Sequence, residues 1–224
     1  MNHRFCLLLA LVGFFGGAYS AKEKTSIMKQ TTWELNTVNN LGGHPTQVLG
    51  APRRIEISQG KAMEFDGQQD GIIVDANPLA GMERFTLEVI FRPDAGGPKE
   101  QRFVHLQEAS GENRILIETR LTEDNRWFLD TFIRSGETNQ TLYAEKFLHP
   151  VGEWFQAALV FDGREMRHYV NGIQEMAALI QYEPLKPGQT SLGVRLNRVS
   201  WFKGAIRKVR FTHDALAPAN FLKP

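Results

Sequence analysis

The stretch spanning residues 152–172 constrains the fold of this 224-residue chain most strongly. Within it, residues 155–161 form an apolar run of strand length with aromatic and branched side chains on both faces. The run stops at Asp162-Gly163, a dipeptide that adopts the positive φ angles of a tight hairpin, and residues 166–170 resume as the return strand. A strand that is apolar on both faces belongs in the middle of a packed pair of sheets. The stretch therefore predicts the central hairpin of an all-β domain.

Short strand patterns separated by turn residues recur along the rest of the chain. They fall at residues 61–65, 72–74, 85–91, 102–107, 114–121, 127–133, 141–145, 190–197 and 204–212, after an irregular strand and loop over residues 33–57. This spacing, without any long helical pattern, is typical of an all-β, two-sheet antiparallel jelly-roll sandwich. Because no linker or internal repeat interrupts it, we predict one domain over residues 21–224.

Residues 1–20 carry the pattern of a cleaved secretory signal peptide. Arg4 precedes an apolar run over residues 5–15, and the small residues Ala18 and Ser20 place a signal-peptidase site after Ser20. An apolar run of about ten residues is too short for a membrane-spanning helix, which needs ~20. The sequence therefore predicts a secreted or periplasmic protein whose mature chain has no membrane span.

Composition excludes several classes of function. The single cysteine, Cys6, lies in the predicted signal peptide, so the mature chain has no disulfide, cysteine zinc site or thiol nucleophile. The formal net charge of +1 provides no overall attraction to nucleic acid or to anionic membranes. His-Glu-x-x-His, Gly-x-Ser-x-Gly and phosphate-binding glycine motifs are missing from the sequence. Recognition through charge must then come from local clusters.

Three stretches of the chain together resemble one family. They are residues 62–72 (Ala-Met-Glu-Phe-Asp-Gly-Gln-Gln-Asp-Gly-Ile), the hairpin at residues 154–172, and residues 202–216 (Phe-Lys-Gly-Ala-Ile-Arg-Lys-Val-Arg-Phe-Thr-His-Asp-Ala-Leu). They are similar to the opening strand, the Trp…Asp-Gly…Tyr-Val-Asn-Gly hairpin and the closing Gly-x-Ile-x-x-Val-Arg strand of the laminin-G-like branch of the concanavalin A-like lectin/glucanase superfamily. The resemblance implies a jelly-roll sandwich. It does not choose a function, because this fold hosts lectins, adhesion domains, glycosidases and polysaccharide lyases.

Polar side chains in the middle of predicted strands mark a candidate binding surface. In sandwiches of this family the concave face of one sheet is where a sugar lies. Guanidinium and carboxylate groups suit hydrogen bonds to hydroxyl, uronate or sulfate groups. We therefore predict that carbohydrate, with acidic polysaccharide as one option, binds to Glu88, Arg92, Arg102, His105, Glu118, Arg120, Arg195 and Asn197. The competing interpretation is a solvated sheet face with ordinary Glu–Arg ladders.

The sequence leaves open whether the chain is an enzyme. Glu88, Glu118 and His105 are the candidate proton carriers of a glycoside hydrolase or polysaccharide lyase that would use the same groove. In a lyase, Arg120 and Asn197 would neutralise the developing charge. The Glu-x-Asp-x-x-Glu strand that is common in glucanases of this superfamily is missing. A third hypothesis is an adhesion or structural module that contacts another protein through its loops.

The tryptophans divide between core and surface in this interpretation. The family resemblance assigns Trp154 to the core. Trp127 and Trp201 are candidates for stacking on a sugar ring, because an exposed indole has a flat apolar face and a polar edge.

Calcium is the ion that the family resemblance implies. Asp66 and Asp70 offer hard oxygen ligands. In the closing strand, however, Arg207 and Lys208 stand where the family commonly has acidic residues, and two cations there would repel the ion. The sequence therefore predicts a plain turn at Asp66 and no bound cofactor, with Asp66 and Asp70 as the ligands if calcium does bind.

Overall fold

The computed structural model describes Met1 and residues 29–224 of the chain. Its strands form two antiparallel sheets, which confirms the predicted all-β sandwich. The predicted signal peptide, including Cys6 and the cleavage site after Ser20, lies outside the described residues apart from Met1. In the described part of the chain, no helix has the length and hydropathy that crossing a bilayer requires.

Within residues 29–224, seventeen strands follow one another, and one turn of 3-10 helix, Pro218–Asn220, comes after the last. The strands are β1 Gln30–Glu34, β2 Asn40–Leu41, β3 His44–Leu49, β4 Arg53–Ile57, β5 Gly60–Asp66, β6 Gly71–Val74, β7 Phe85–Pro93, β8 Glu100–Glu108, β9 Arg114–Leu121, β10 Arg126–Ser135, β11 Thr138–Tyr143, β12 His149–Pro150, β13 Phe155–Phe161, β14 Glu165–Val170, β15 Ile173–Leu179, β16 Gly188–Leu192 and β17 Lys203–Thr212.

Strands from distant parts of the chain lie side by side in both sheets. The eight-stranded sheet has the order β15-β14-β13-β7-β17-β5-β4, with β1 paired to β17. The nine-stranded sheet has the order β11-β10-β9-β8-β16-β6-β3-β2, with β12 paired to β10. The crossovers that place β7 beside β17 and β16 beside β6 are those of a jelly roll, in which the two sheets enclose one core.

The central hairpin is confirmed. β13 is buried along its whole length and lies between β14 and β7. At the turn, Asp162 Oδ1 accepts hydrogen bonds from the backbone N–H groups of Arg164 and Glu165 at 3.0 and 2.9 Å. Gly163 has a φ of 96°, a conformation that a residue without Cβ adopts readily. The turn residues named by the sequence thus close the hairpin.

Aromatic rings from both sheets meet in the core. Phe91 of β7 stacks on Phe103 of β8 with 4.6 Å between ring centroids, and it meets Trp127 of β10 edge-on at 5.2 Å. Phe202 stacks on the far side of this group, 4.8 Å from Phe103. All four rings are completely buried. Because burying each aromatic side chain contributes about 1.5–3 kcal/mol, this cluster fixes the two sheets against each other.

The strand predicted over residues 190–197 is shorter than the sequence pattern suggests, because β16 ends at Leu192. Gly193 has a φ of 79°, and a Cβ built there would lie 2.3 Å from the ring of Phe65. Left-handed backbone and close packing together end the strand at this glycine. Residues 193–202 form a loop instead, so Arg195 and Asn197 lie on a loop and not on a strand.

The C-terminal segment, residues 213–224, covers part of the outer face of the eight-stranded sheet. Leu216 and Phe221 pack against an apolar patch of β13 and β14. Beneath them, Glu88 of β7 is completely buried and accepts hydrogen bonds from the backbone N–H of Leu222 at 2.7 Å and from Arg210 Nε at 2.6 Å. The segment therefore closes this sheet face over a buried carboxylate.

Candidate carbohydrate site

A cavity of about 380 Å³ opens on the outer face of the nine-stranded sheet, and we call it the arginine cavity. Its lining consists of Arg102, Arg114, Leu116, Glu118, Arg120, Asp130, Phe132, Thr141 and Arg195. The four arginines outnumber the two carboxylates, so the fully ionised lining carries two more positive than negative charges. This excess makes the cavity attractive to polar and anionic ligands.

Strand alternation and register bring the lining side chains together. Along β9, Ile115, Ile117 and Leu121 point into the core, so the alternating side chains of Arg114, Leu116, Glu118 and Arg120 face outward. The pairing of β9 with β10 places Asp130 directly opposite Glu118. The pairing of β9 with β8 places Arg102 opposite Glu118 on the other side. Three adjacent strands thus present one row of charged side chains across the sheet.

A network of ion pairs occupies the centre of this row. Arg120 donates from Nε and Nη2 to Asp130 Oδ2 at 2.8 and 2.7 Å, and its Nη2 lies 3.4 Å from Glu118 Oε2. Arg102 Nε lies 3.0 Å from the same oxygen of Glu118. Both guanidinium groups also contact Glu100 at the edge of the cavity. The network holds its members in fixed positions before any ligand arrives.

The two carboxylates of the cavity are buried and have raised pKa values. Burial and the charge of the adjacent Asp130 together raise the pKa of Glu118 to about 7, against the opposing effect of Arg102 and Arg120. Burial also raises the pKa of Asp130, and Arg120 opposes that effect. Near neutral pH, Glu118 therefore exchanges between its ionised and protonated forms, so it can accept or donate a hydrogen bond.

His105 lies beside the cavity, next to Leu116 across the β8–β9 pair, and is 1% exposed. Its Nδ1 accepts a hydrogen bond from the backbone N–H of Leu196 at 3.0 Å. Burial, followed by the charges of Arg195, Arg114 and Arg102, lowers the pKa of His105 to about 3. The imidazole is therefore neutral at physiological pH. Because Nδ1 is the acceptor, the ring proton resides on Nε2.

The structure brings five of the eight predicted ligand-binding residues to this region. They are Arg102, His105, Glu118, Arg120 and Arg195. Glu88 and Arg92 do not join them, because β7 belongs to the eight-stranded sheet. Glu88 is covered by the C-terminal segment, and Arg92 pairs with Asp94 at 2.8 Å. Asn197 is exposed beside a separate depression that Gln107 and Gln189 also line.

Five lining residues were not in the predicted set: Arg114, Leu116, Asp130, Phe132 and Thr141. Alternation along the predicted strands already places Arg114 on the face of Glu118, and Asp130 on the face of Phe132. Thr141 reaches the cavity only because β11 pairs with β10 and sets it opposite Phe132. No pattern within a single strand reveals that pairing.

The tryptophan assignments need correction. Trp127 is completely buried, and its Nε1 donates to the Pro150 carbonyl at 2.9 Å, so its ring cannot stack on a sugar in this conformation. Trp154 is half-buried and is not a core residue. The guanidinium of Arg92 covers its ring, with the central carbon of the guanidinium 5.6 Å from the ring centroid. Trp201 is half-buried on the 193–202 loop and remains a candidate for sugar stacking.

The residues that would hold calcium form a turn in this structure. Asp66 Oδ1 accepts the backbone N–H groups of Gln68, Gln69 and Asp70 at 2.8–3.0 Å. The carboxylate of Asp70 in turn accepts the N–H groups of Ala51 and Asp66. Within residues 29–224, no group of three or more His, Cys, Asp or Glu residues is arranged to hold a metal ion. In this structure the carboxylates of Asp66 and Asp70 are both acceptors for backbone donors of the turn.

Several solved structures of carbohydrate-binding proteins are similar to this chain. Domain 4 of AbnA, a GH43 extracellular arabinanase from Geobacillus stearothermophilus in complex with arabinotriose, has a TM-score of 0.66 and 19% identity over 86% of this chain and 96% of that chain. Botulinum neurotoxin type C, whose cell entry depends on interaction with two ganglioside molecules, has a TM-score of 0.61 and 12% identity over 85% of this chain and 49% of that chain. The binding domain of botulinum neurotoxin DC in complex with SialylT has a TM-score of 0.62 and 15% identity over 85% and 49%.

These likenesses are at the level of the fold. The chain spans about half the length of the two toxin structures, at 49% of each. No curated protein sequence shows significant similarity to it. Residues 66–220 match the Laminin_G_3 family model, and the chain therefore belongs to this family of the concanavalin A-like lectin/glucanases superfamily.

Proposed function

We propose that this chain is a secreted carbohydrate-binding protein that holds a glycan in the arginine cavity. The observation that carries the proposal is the charged row of Arg102, Glu118, Arg120 and Asp130 in an open cavity on a sheet face, with its two carboxylates buried and its two guanidinium groups partly exposed. The predicted signal peptide in residues 1–20 would deliver this site to the cell exterior or periplasm, where polysaccharides are accessible.

The chemistry of the cavity suits a sugar. Guanidinium groups donate pairs of hydrogen bonds, and carboxylates accept from vicinal hydroxyls, so the row offers both donors and acceptors. The Phe132 ring lines the same cavity and provides an apolar surface. The positive excess favours acidic over neutral polysaccharides. Three structures of the same fold, described above as binding arabinotriose, gangliosides or SialylT, support carbohydrate as the ligand class.

A glycan array that includes neutral and acidic polysaccharides tests the proposal. The protein should bind at least one glycan, and both Glu118→Gln and Arg120→Ala should weaken that binding by tenfold or more. Arg126→Ala is the matched control, because Arg126 pairs with Asp124 on the surface at the end of β10, away from the cavity lining. Absence of binding to every glycan on the array would count against the proposal and favour an adhesion module.

Glycoside hydrolysis is the second candidate function. Glu118 and Asp130 lie opposite each other on adjacent strands, and the pKa of Glu118 is raised to about 7, as a general acid requires. The ion pairs with Arg102 and Arg120 occupy these carboxylates, which favours binding over turnover. Reducing-end release from any glycan that binds, abolished by Glu118→Gln, would establish hydrolysis. Unsaturated products absorbing near 235 nm would indicate a lyase instead.

A further inference from the structure

The charges around the arginine cavity are balanced at one end and unbalanced at the other. Arg102 and Arg120 share the carboxylates of Glu100, Glu118 and Asp130. At the other end Arg114 pairs only with Glu112, which lies at 3.2 Å and is mostly exposed to solvent. In residues 29–224 none of the ion pairs involves Arg195. This end therefore presents two guanidinium groups with little compensating charge.

Buried donors without partners lie at the same end. Among the described residues, Arg114 Nε, Arg195 Nε and His105 Nε2 are buried and have no hydrogen-bond partner. His105 Nε2 carries the ring proton, because Nδ1 accepts from the backbone of Leu196. Native proteins nearly always pair their buried donors with protein groups or ordered water, so a water or ligand oxygen is the expected partner of these three donors.

The fold brings these three side chains into one group. On the β8–β9 pair, His105 faces Leu116 and Gln107 faces Arg114, so His105 and Arg114 are diagonal neighbours on the outer face. The 193–202 loop lies against them through the Leu196–His105 hydrogen bond. Arg195 is close enough to Arg114 for its charge to add to burial in lowering the pKa of Arg114. Phe132 supports the Arg114 guanidinium from 5.0 Å.

We propose that Arg114, Arg195 and His105 form a subsite for the anionic group of an acidic sugar, a uronate carboxylate or a sulfate. The inference rests on the proposed function, since it assigns one end of the same cavity to one part of the glycan. Oxygens of the anion would accept from the two guanidinium groups that line the cavity, and the buried imidazole of His105 would have to turn its Nε2 toward the anion to donate as well. The hydroxyls of the same or the next sugar would lie toward Glu118 and Asp130.

The two ends of the cavity together define the ligand class. A polyanion with a charge on every face would meet the carboxylates of Glu118 and Asp130 and be repelled by them. A neutral glycan would leave the donors of Arg114 and Arg195 unpaired. A sugar chain with hydroxyls on one side and a single anionic group per one or two residues satisfies both ends.

Calorimetric titration with matched charged and neutral glycans tests the subsite. The probes are hexameric oligogalacturonate, a chondroitin sulfate hexasaccharide, and a neutral form of each, made by reducing the carboxylates of both and by also removing the sulfates of the chondroitin oligosaccharide. A desulfated chondroitin hexasaccharide separates the sulfate from the carboxylate. We expect at least one charged form to bind ten times more tightly than its uncharged counterpart, and the advantage to shrink with added salt.

Variants of the subsite make the assignment specific. Arg195→Ala and Arg114→Ala should each reduce binding of the charged oligosaccharide by tenfold or more and remove most of its advantage over the neutral form. Arg126→Ala should leave both unchanged. Because a variant can fail to fold, the imidazole ¹⁵N resonances of His105 in the unaltered protein provide a second measurement. They should shift on addition of the charged oligosaccharide and stay in place with its neutral form.

The outcomes separate the subsite from the proposed function. Equal binding of charged and neutral forms, with loss in Glu118→Gln, would overturn the subsite and leave carbohydrate binding at the cavity intact. A charge preference that persists in Arg195→Ala and Arg114→Ala, with no change at His105, would also overturn it. Absence of binding by every oligosaccharide, charged or neutral, would overturn the subsite, and absence of binding to every glycan of the array as well would overturn both.

Discussion

Glu118 and Asp130 face each other across adjacent strands of the nine-stranded sheet, and one guanidinium, that of Arg120, contacts both carboxylates. Like charges directly opposite each other destabilise a sheet, and both of these carboxylates are almost completely buried. The positive charge of Arg120 therefore offsets the repulsion between the two carboxylates in the folded state. The same contact places two oxygen acceptors and a forked donor within one small cavity.

Arg120→Ala should lower the free energy of unfolding by about 3 kcal/mol. Removing one partner of a buried ion pair leaves uncompensated charge, which typically costs ~3–5 kcal/mol, and Arg120 itself is partly exposed. Urea denaturation at pH 7.5 measures the change. Arg126→Ala, which breaks an exposed ion pair with Asp124, should cost less than about 1 kcal/mol. Equal effects of the two variants would contradict the structural role of Arg120.

Glu118→Gln should change the pH dependence of stability. The pKa of Glu118 is about 7 in the folded protein and 4.5 in the unfolded chain, so the folded state binds the proton more tightly. The stabilisation that this proton provides is therefore complete below pH 4.5 and is lost as the pH rises through 7. The unaltered protein should therefore gain stability relative to Glu118→Gln as the pH falls from 8 to 4.5. Denaturant titrations of both proteins at pH 4.5, 6 and 8 measure this difference.

The buried histidines act on stability in the opposite direction. Burial lowers the pKa values of His105 and His168 to about 3, so the unfolded chain binds their protons first and stability falls below pH 6.5. Both proteins contain these histidines, so the effect cancels in the comparison. A difference between the two proteins that stays constant with pH would show that Glu118 titrates near its ordinary pKa.

Glu88→Gln should destabilise the protein by about 3 kcal/mol and leave glycan binding unchanged. Glu88 is completely buried in the other sheet, where it pairs with Arg210 and holds the backbone of Leu222. Thermal unfolding and the glycan array together measure the two effects. Loss of glycan binding in a folded Glu88→Gln protein would place the ligand on the eight-stranded sheet and not in the arginine cavity.

Trp127→Ala should cost about 3–5 kcal/mol, whereas Trp154→Ala should cost less than about 1 kcal/mol. Trp127 is completely buried between aromatic rings of both sheets, and its removal leaves a large cavity. Trp154 is half-buried at the surface, against Arg92. Guanidinium-induced unfolding followed by circular dichroism measures both. The reverse order of effects would restore Trp154 as the core tryptophan.

Gly193→Ala should both destabilise the fold and weaken glycan binding. An alanine there adopts an unfavourable φ of 79°, and its Cβ meets the buried ring of Phe65, for a combined cost of about 2–4 kcal/mol. Because Arg195 lies two residues further on, a shift of the loop moves it out of the cavity. Gly43→Ala is the matched control: its φ is 86° but no atom lies within 4 Å of the new Cβ, so only the backbone strain of ~1 kcal/mol remains.

Local patterns predicted most of the strands from β5 onward and the faces of their side chains, but they missed β15 and gave β1 to β4 as one irregular strand and loop. The residue type at each turn and the alternation along each strand are fixed by nearest neighbours, so the central hairpin at Asp162-Gly163 and the outward face of Glu118 and Arg120 followed from the sequence. The end of β16 was missed because it depends on Gly193 packing against Phe65, which is distant along the chain.

Sheet membership was not predictable in the same way. Glu88 and Glu118 have equivalent patterns within their strands, yet β7 pairs with β13 and β17 while β9 pairs with β8 and β10. Only the long-range pairing separates the two glutamates onto opposite sides of the molecule. The C-terminal segment also covers Glu88 through a tertiary contact, and no sequence pattern near Glu88 predicts that contact.

The closure of one sheet face by the C-terminal segment affects how strongly the protein can hold a polymer. With that face covered over Glu88 and the arginine cavity open on the other, each chain would engage a polysaccharide from one side through one site. One such cavity on each rigid body gives no gain in effective concentration toward a repeating ligand. Tight retention on a repeating glycan would then arise from several chains bound along one polymer, and apparent affinity would rise with the density of protein on a surface.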